Sequence, residues 1–192
     1  GSAPKFVTAS PATLTNKWLT PGVIVNGAGI LALAADFAYY EPWVVLAPIT
    51  IDALGISVFT GAAAGKLLRL ALFNAGARWA PTGAAVVTTS TLAADVAANT
   101  RVVGTFSSVT IAPGMYVAAY ISDGAPTVRT LLGEPITGTL RSNDASNQLM
   151  NYFYDGSGSR NWVSAGSPSS PTMATGGYSQ GAVQLAMDCR DA

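Results

Sequence analysis

The sequence predicts an all-β protein, folded as an antiparallel β-sandwich of the jelly-roll type. Short apolar segments alternate with polar or small residues at a period of two, which is the repeat of a strand that buries one face. Gly, Pro and Asn separate these segments at short intervals, as they do in sandwiches and barrels. Strand patterns do not alternate with helical ones, so the chain lacks the sequence pattern of a parallel sheet.

Residues 1–22 are predicted to form an extended N-terminal arm. Three prolines lie among Thr, Ser and Ala in this segment, and prolines at such spacing prevent a continuous helix. The first two residues, Gly1 and Ser2, resemble the remnant of a protease cleavage site used in protein expression. We expect the arm to run along a neighbouring subunit or to lead in from a preceding domain, and residues 23–192 to form one compact domain.

The first strand of the domain is predicted at residues 23–25, which are β-branched. Residues 27–35 are ambiguous, because Ala and Leu favour a helix whereas two glycines oppose it. Residues 37–40 and 43–45 are expected to form two strands, joined by a turn at residues 41–42.

The centre of the prediction is an antiparallel hairpin formed by residues 44–73. Two apolar triplets alternate with polar or small residues within it: Leu54, Ile56 and Val58, followed by Leu68, Leu70 and Leu72. Residues 60–65 lie between the triplets; they are small and include two glycines, which suits a tight turn. The alternation slips between Ile51 and Leu54, which predicts a bulge in the first strand.

A second hairpin is predicted from residues 101–111 and 115–121, because Pro113 and Gly114 between them are a strong turn signal. Further strands are expected at residues 84–91, 148–154, 162–163 and 180–187. Residues 92–99 suit either a helical turn or a loop. The sequence leaves two alternatives open for residues 126–192, which form either the rest of one sandwich or a distinct tip portion.

Composition limits the classes of partner. Charged residues make up 10% of the chain, with ten acidic and ten basic residues, so the formal net charge is zero. Nucleic-acid binding needs a positive surplus and is not expected. Membrane insertion is not expected either, because there is no polybasic segment and no apolar stretch of the roughly 20 residues that a transmembrane helix needs. So low a charge suits a protein that is rigid, that is assembled, or that is kept from aggregating by something other than charge repulsion, and oligomerisation is one natural explanation.

The residue types present exclude several kinds of catalysis. The chain has no His, which rules out Ser-His-Asp and Cys-His centres and imidazole metal ligands. Its single cysteine, Cys189, rules out thiolate zinc sites and an intrachain disulfide, and a reduced thiol is favoured over a bridge between chains. A carboxylate pair for glycoside hydrolysis stays open as an alternative, but no pair stands out. We therefore expect no metal, no cofactor and no enzymatic activity.

The candidate site residues are aromatic and polar side chains that suit carbohydrate. They are Tyr152, Tyr154, Asp155, Arg160, Asn161 and Trp162, together with Arg78 and Trp79 in a loop rich in Gly and Pro. Sugar rings stack on aromatic faces, while carboxylates, amides and guanidinium groups hydrogen-bond to hydroxyls. The alternative is that the aromatic members fill the core or a subunit interface, as we expect for Tyr39, Tyr40 and Trp43.

Four segments follow one another in an order known from a protein family: residues 46–58 (LAPITIDALGISV), 68–74 (LRLALFN), 81–83 (PTG) and 111–118 (IAPGMYVA). Over residues 37–125 the chain resembles a β-sandwich domain that is common in tail-fibre and other appendage proteins of tailed bacteriophages, and of phage-derived particles such as gene transfer agents. It departs from the family pattern at Phe73, where Tyr is usual, and at Val117, where Trp is frequent. The shared motifs are turn and core positions and include no catalytic residue.

The resemblance implies a distal module of a fibre or spike on the virion surface, often homotrimeric, that recognises a host cell-surface polysaccharide without enzymatic activity. Many weak contacts would be multiplied by avidity. Other virion proteins would bind on its N-terminal side. Two alternatives stay open: a structural connector or capsid-decoration domain that binds no sugar, and a carbohydrate-binding or depolymerising domain of a secreted enzyme.

Overall fold

The computed structural model describes residues 18–19, 23–76, 81–135, 140–141, 149–150, 153–155, 184–185 and 187–192. Within these residues the regular structure is β-strand and no helix occurs, so the predicted all-β class is confirmed. No helix that could cross a membrane is found in the described part of the chain.

The strands are short to medium in length and are numbered here in chain order. They are β1 (Trp18–Leu19), β2 (Val23–Ala32), β3 (Ala38–Val45), β4 (Ile49–Thr60), β5 (Leu67–Ala75), β6 (Pro81–Thr88), β7 (Leu92–Ala93), β8 (Thr100–Ile111), β9 (Gly114–Ser122), β10 (Thr127–Pro135), β11 (Leu140–Arg141), β12 (Leu149–Met150), β13 (Phe153–Asp155), β14 (Gln184–Leu185) and β15 (Met187–Asp191).

The described strands form two large antiparallel sheets. The seven-stranded sheet has the order β1-β15-β4-β10-β14, with β2 paired to β10 and β8 paired to β4. The six-stranded sheet has the order β13-β3-β9-β5-β6, with β7 paired to β5. Strands β11 and β12 pair with each other. The chain crosses repeatedly from one large sheet to the other, so neighbours in sequence are often not neighbours in a sheet.

The two sheets pack face to face around one apolar core. Both predicted triplets lie in it: Leu54, Ile56 and Val58 from β4, and Leu68, Leu70 and Leu72 from β5, each at most 3% exposed. Fully burying a side chain of this size stabilises the fold by about 1.5–3 kcal/mol relative to leaving it in water. The predicted burial of the triplets is confirmed, and so is an antiparallel arrangement of two packed sheets.

Both predicted hairpins are wrong. Strands β4 and β5 belong to different sheets, since β4 pairs with β8 and β15 whereas β5 pairs with β9 and β6. Likewise β8 pairs with β4, and β9 pairs with β3 and β5. The connections therefore lead across the core instead of turning back within a sheet. The period-two pattern is the same in both cases, because it reports which face is buried and not which strand lies alongside.

The predicted turn at residues 41–42 is also wrong, because β3 continues through Glu41 and Pro42 to Val45. Pro42 lies opposite Val117 of β9. On the other side of β3, the described pairing with β13 ends at Tyr40, so Pro42 lies where β3 has a described neighbour on one side only. Pro has no N–H to donate, and strands accept it at such edge positions.

The structure also decides the predictions for the bulge in β4 and for residues 27–35 and 92–99. The bulge between Ile51 and Leu54 is confirmed, because the register of β4 shifts there against both β8 and β15. The ambiguous residues 27–35 are strand as far as Ala32, since β2 pairs along β10. Within residues 92–99 the structure has the short strand β7 followed by turns, and no helical turn.

Other strand predictions are only partly covered. The strand predicted at residues 84–91 is present as β6, which begins earlier, at Pro81. Those at residues 148–154 and 180–187 are described in part, and residues 162–163 lie outside the described residues. Of the predicted N-terminal arm only Trp18 and Leu19 are described, and they pair with β15.

The six-stranded sheet is apolar on both faces. A second buried cluster lies on the face away from the seven-stranded sheet: Ala38, Tyr40, Ala71, Phe73, Val117, Ala119 and Ile121, each at most 1% exposed. Residues 116–122 of β9 are consequently buried without alternation. This is the pattern of a strand buried on both sides, and it agrees with the near-continuous apolar sequence of β9.

Candidate binding surfaces

The predicted carbohydrate-binding residues are described only in part. Tyr154 and Asp155 belong to β13, an edge strand of the six-stranded sheet, where they pair with Tyr39 and Ala38 of β3. The other six, Tyr152, Arg160, Asn161, Trp162, Arg78 and Trp79, lie outside the described residues. That this set binds glycan stays a prediction.

The described strands next to the two predicted segments lie apart on the six-stranded sheet. Arg78 and Trp79 follow the end of β5 at Ala75 and precede Pro81, the first residue of β6. Strand β13 is three strands away from β5, and Asp155 pairs with the first residue of β3, Ala38. From the usual strand spacing and rise, Ala75 lies roughly 25 Å from Asp155. The described residues nearest to the two predicted segments, Ala75 and Asp155, therefore lie at different places on the six-stranded sheet.

The sandwich has two unlike ends, which are defined by the connections that cross between the sheets. The apolar end consists of residues 46–48, which join β3 to β4, and 112–113, which join β8 to β9. These connections run side by side, because Val45 pairs with Gly114 in one sheet and Ile49 pairs with Ile111 in the other. The charged end consists of residues 33–37, 61–66, 94–99 and 123–126.

The apolar end exposes large hydrophobic side chains. Leu46 is 72% exposed, and Met115, at the start of β9, is 51% exposed. Ala47, Pro48, Ala112 and Pro113 are exposed beside them. No charged residue occurs in residues 42–51 or 102–122. These two connections are uncharged and largely apolar. The connection from β5 to β6, which contains Arg78, begins at the same end, since Asn74 of β5 pairs with Tyr116 of β9.

A few hydrogen bonds hold the apolar end in shape. The hydroxyls of Thr50 and Thr110 lie 3.0 Å apart on the paired strands β4 and β8. The Tyr116 hydroxyl donates to the carbonyl oxygen of Ala112 at 2.9 Å, which ties one connection to β9. The Ala192 N–H donates to the carbonyl oxygen of Thr50 at 2.9 Å. None of these bonds involves the side chain of Leu46 or Met115, and both side chains are exposed.

At the charged end, by contrast, carboxylates accept bonds from the backbone of neighbouring connections. The Gly65 N–H donates to Oδ2 of Asp95, and the Leu67 N–H donates to Oδ1 of Asp123, both at 2.7 Å. The Asp36 N–H donates to the carbonyl oxygen of Ser122, also at 2.7 Å. Buried or half-buried backbone groups need such partners. Asp95 and Asp123 therefore have a structural role in joining the connections.

Two ion pairs lie on the outer face of the seven-stranded sheet. Arg190 donates from Nε to Oδ1 of Asp52 at 2.7 Å and from Nη2 to Oδ2 at 2.8 Å. These hydrogen bonds lower the pKa of Asp52. This bidentate pair fastens the bulge of β4 to β15, so Asp52 has a structural role.

The second ion pair joins Arg101 to Asp188, and Trp18 covers it. The Arg101 guanidinium lies 4.4 Å from the centroid of the Trp18 ring, and a side chain at Gly55 would collide with both Trp18 and Asp188. Burial raises the pKa of Asp188 to about 7, although Arg101 acts in the opposite direction. The cluster joins β1 to the sheet.

Other polar groups lie in the interior. The Trp43 indole N–H donates to Oε1 of the buried Glu41 at 2.9 Å, and Cys189 is fully buried in the core. The space lined by Trp43, Leu54, Met187 and their neighbours is too small for a water molecule. Among the described residues no group of three or more His, Cys, Asp or Glu could hold a metal ion.

No protein-family model matches the chain, and a search of curated proteins finds no significant match. Function therefore has to be inferred from the residues themselves. Sequence reasoning missed Leu46 and Met115 as surface residues, since both occur within strand-like apolar segments. The available signal was the absence of charge from residues 42–51 and 102–122, which the structure brings together at one end.

Proposed function

We propose that the chain is a non-enzymatic module of a phage-type fibre or spike, displayed on the virion surface, that recognises host-surface glycan. The two packed antiparallel sheets support this proposal, because the resembled family has a β-sandwich fold. The family motifs fall on structural positions: Leu54 and Leu70 lie in the core, and Pro113 lies in the connection that ends at Gly114, the first residue of β9. A jelly-roll topology, an extended arm over residues 1–22 and assembly into a homotrimer belong to the same proposal.

The observation that most supports glycan recognition is the position of β13. Tyr154 and Asp155 are the described members of the aromatic segment, and they belong to β13, which pairs with β3 at one end of the described six-stranded sheet. Binding groups that are built on such a scaffold lose little conformational freedom when a ligand binds. Single contacts to sugar are weak, and several copies on a particle would raise the apparent affinity through avidity.

The test is binding of the purified chain to host cells and to their isolated surface polysaccharide. Trp162→Ala and Trp79→Ala probe the two segments separately, and Ile30→Ala is the control, because Ile30 is 53% exposed on a different strand, β2. We expect Trp162→Ala to lose binding while its melting temperature stays unchanged, and Ile30→Ala to bind normally. Absence of binding by the assembled wild-type chain would refute glycan recognition.

The second candidate function is a structural connector that binds other virion proteins and no sugar. The apolar end favours it, because an exposed apolar surface with no charge suits protein contacts better than sugar hydroxyls. A chain that ignores polysaccharide but incorporates into particles would support this function instead.

A further inference from the structure

We propose that strand β1 is a pH-sensitive strap on the seven-stranded sheet. It is held firmly to β15 when the carboxyl group of Asp188 is protonated, and it is loosened when Asp188 is ionised. The inference rests on the contacts among Trp18, Arg101 and Asp188, and it does not depend on glycan recognition.

The backbone of β1 makes little pairing of its own. The strand has two residues and lies at one end of the described strand order, where Trp18 pairs with Arg190 and Leu19 pairs with Cys189. Strand β4, by contrast, pairs with β8 and β15 along most of its twelve residues. So short a strand at an edge opens locally at a small cost in free energy unless side chains hold it. Docking of β1 therefore depends strongly on what the Trp18 side chain contacts.

The Trp18 side chain lies against a buried carboxylate. A Cβ atom added to Gly55 would lie 2.9 Å from Oδ1 of Asp188 and 2.9 Å from Cζ3 of Trp18, so both groups occupy the space above this glycine. The Arg101 guanidinium pairs with Oδ2 of Asp188 and lies 4.4 Å from the centroid of the Trp18 ring. Asp188 is only 6% exposed. The Trp18 ring is therefore part of what keeps water away from this carboxylate.

One oxygen of the Asp188 carboxylate does not have the partner that an ionised group needs. Oδ2 accepts from Arg101, but no group in the described part of the chain donates to Oδ1, which is buried. Burying an ionised oxygen without a hydrogen bond is costly, and a neutral carboxyl group avoids most of this cost. Burial raises the pKa of Asp188 to about 7, which is the same direction. Covering by Trp18 therefore favours the protonated form.

This coupling fixes the direction of the switch. When β1 leaves the edge, Trp18 no longer covers Asp188, water reaches Oδ1, and the pKa of the carboxyl group falls toward the ordinary 3.8. A group with a higher pKa in the docked state stabilises docking at low pH, and this contribution is lost as the pH rises through about 7. If Trp18 supplies about one pKa unit of the rise, the docking equilibrium weakens about tenfold from acidic to basic pH.

The other charged groups around Asp188 do not explain a change between pH 6 and pH 8. The charged residues on the neighbouring strands are Arg101 on β8, Asp52 on β4, and Arg190 and Asp191 on β15, with Lys17 next to β1. Arginine stays protonated in proteins, and lysine and aspartate side chains ordinarily keep their charge in this range. Arg190 lowers the pKa of Asp52 further. Asp188 is therefore the group that would change its charge.

The experiment uses trypsin, which cleaves after Lys17, immediately before β1. Cleavage of the full chain is followed by mass spectrometry at pH 6, 7 and 8. Each rate is divided by that of a free peptide of residues 12–24, which corrects for the pH dependence of the protease. Cleavage after Arg69, in the core strand β5, reports unfolding of the whole domain. The test variant is Asp188→Asn, and the matched control is Asp52→Asn.

We expect normalised cleavage after Lys17 to rise about fivefold from pH 6 to pH 8 in the wild type and in Asp52→Asn. The rate should stay constant in Asp188→Asn, whose side chain does not titrate. Cleavage after Arg69 should remain far slower at every pH. The proposal fails if the wild type shows no rise, if Asp188→Asn shows the same rise, or if cleavage after Arg69 is as fast as cleavage after Lys17.

A second measurement tests the same coupling in the opposite direction, because linkage between two events is reciprocal. The pKa of Asp188 is measured by carboxyl carbon NMR in the wild type, in Trp18→Ala and in Trp18→Phe. We expect Trp18→Ala to lower this pKa by about one unit, and Trp18→Phe, which keeps an aromatic ring, to restore most of it. An unchanged pKa in Trp18→Ala would overturn the proposal even if β1 opens more easily in that variant.

Discussion

The connections at the two ends of the sandwich are held in place by different kinds of contact. Both contain connections that run side by side between the same two sheets. At the charged end the connections are joined by bonds such as Gly65 to Asp95 and Leu67 to Asp123. At the apolar end the described bonds are fewer, and Leu46 and Met115 face solvent. The difference suggests that one end fastens the fold, while the other is available for contact.

The two ends also differ in how closely their connections approach one another. At the charged end a Cβ added to Gly61 would lie 2.1 Å from the carbonyl oxygen of Val96, so two connections approach there at backbone distance. At the apolar end the prolines Pro48 and Pro113 are exposed and have no N–H that needs a partner. Close packing therefore makes the charged end sensitive to substitution, and the apolar end should be tolerant.

The largest expected effect is that of Gly61→Ala at the charged end. The new methyl group would collide with backbone, which cannot move aside as a flexible side chain can. We expect the free energy of unfolding to fall by about 3 kcal/mol, measured by urea denaturation. The control is Gly65→Ala in the same connection, where φ is +76° and nothing lies within 4 Å of the new Cβ. That change should cost only about 1 kcal/mol, and equal losses would contradict the crowding argument.

The pH dependence of the free energy of unfolding tests the buried Asp188, which lies on β15 between the two ends. Burial raises the pKa of Asp188 to about 7 from an ordinary value of 3.8, so the folded chain holds this proton more tightly than the unfolded chain. The resulting stability is complete below about pH 4 and is lost as the pH rises through 7. We expect the free energy of unfolding to be about 2 kcal/mol lower at pH 8 than at pH 5.

Two substitutions separate this effect from others. Asp188→Asn should remove the difference between pH 5 and pH 8, because its side chain does not titrate. Asp52→Asn should leave the difference in place, since Arg190 lowers the pKa of Asp52 and keeps its titration below this pH range. An unchanged pH dependence in Asp188→Asn would show that another group is responsible.

Sequence reasoning predicted which residues are buried better than it predicted which strands pair. Leu54 and Leu70 face the same core whether β4 and β5 form a hairpin or cross between sheets, so the alternation could not distinguish the two arrangements. The slip near Asp52 was visible because a bulge changes the alternation itself. Pairing partners such as Ile51 and Val109 are far apart in sequence, and nothing local specifies them.

For the candidate binding surfaces, too, the sequence indicates residue types but not which strands pair. The chemistry of the aromatic and charged residues at 152–162 is enough to predict that they bind sugar. That prediction does not require knowing which strands pair. Leu46 and Met115 are 69 residues apart in the chain, and their connections come together through the register of Val45 with Gly114 in one sheet and of Ile49 with Ile111 in the other. Recognising this surface required the topology, because each segment by itself resembles a buried strand.

A smaller effect is expected for single hydrogen bonds at the two ends. Asp123→Ala leaves the Leu67 N–H without its acceptor at a half-buried position, which should cost about 1–2 kcal/mol. Thr110→Ala removes the exposed contact with Thr50 and should change the free energy of unfolding by less than about 0.5 kcal/mol. Urea denaturation of both variants checks the difference. Similar losses of unfolding free energy in the two variants would mean that these hydrogen bonds stabilise the two ends equally.

The smallest effect on stability is expected for the exposed apolar side chains at the apolar end. Leu46→Ser and Met115→Ser replace side chains that already lie largely in water, so the free energy of unfolding of the dilute monomer should change by less than about 0.5 kcal/mol. Leu70→Ala, in the core, should cost about 3 kcal/mol in the same assay. A large loss from Leu46→Ser would mean that this residue supports the fold of the monomer. If stability is unchanged, the fold does not depend on these two side chains, and contacts made by the apolar end can then be tested in variants that are fully folded.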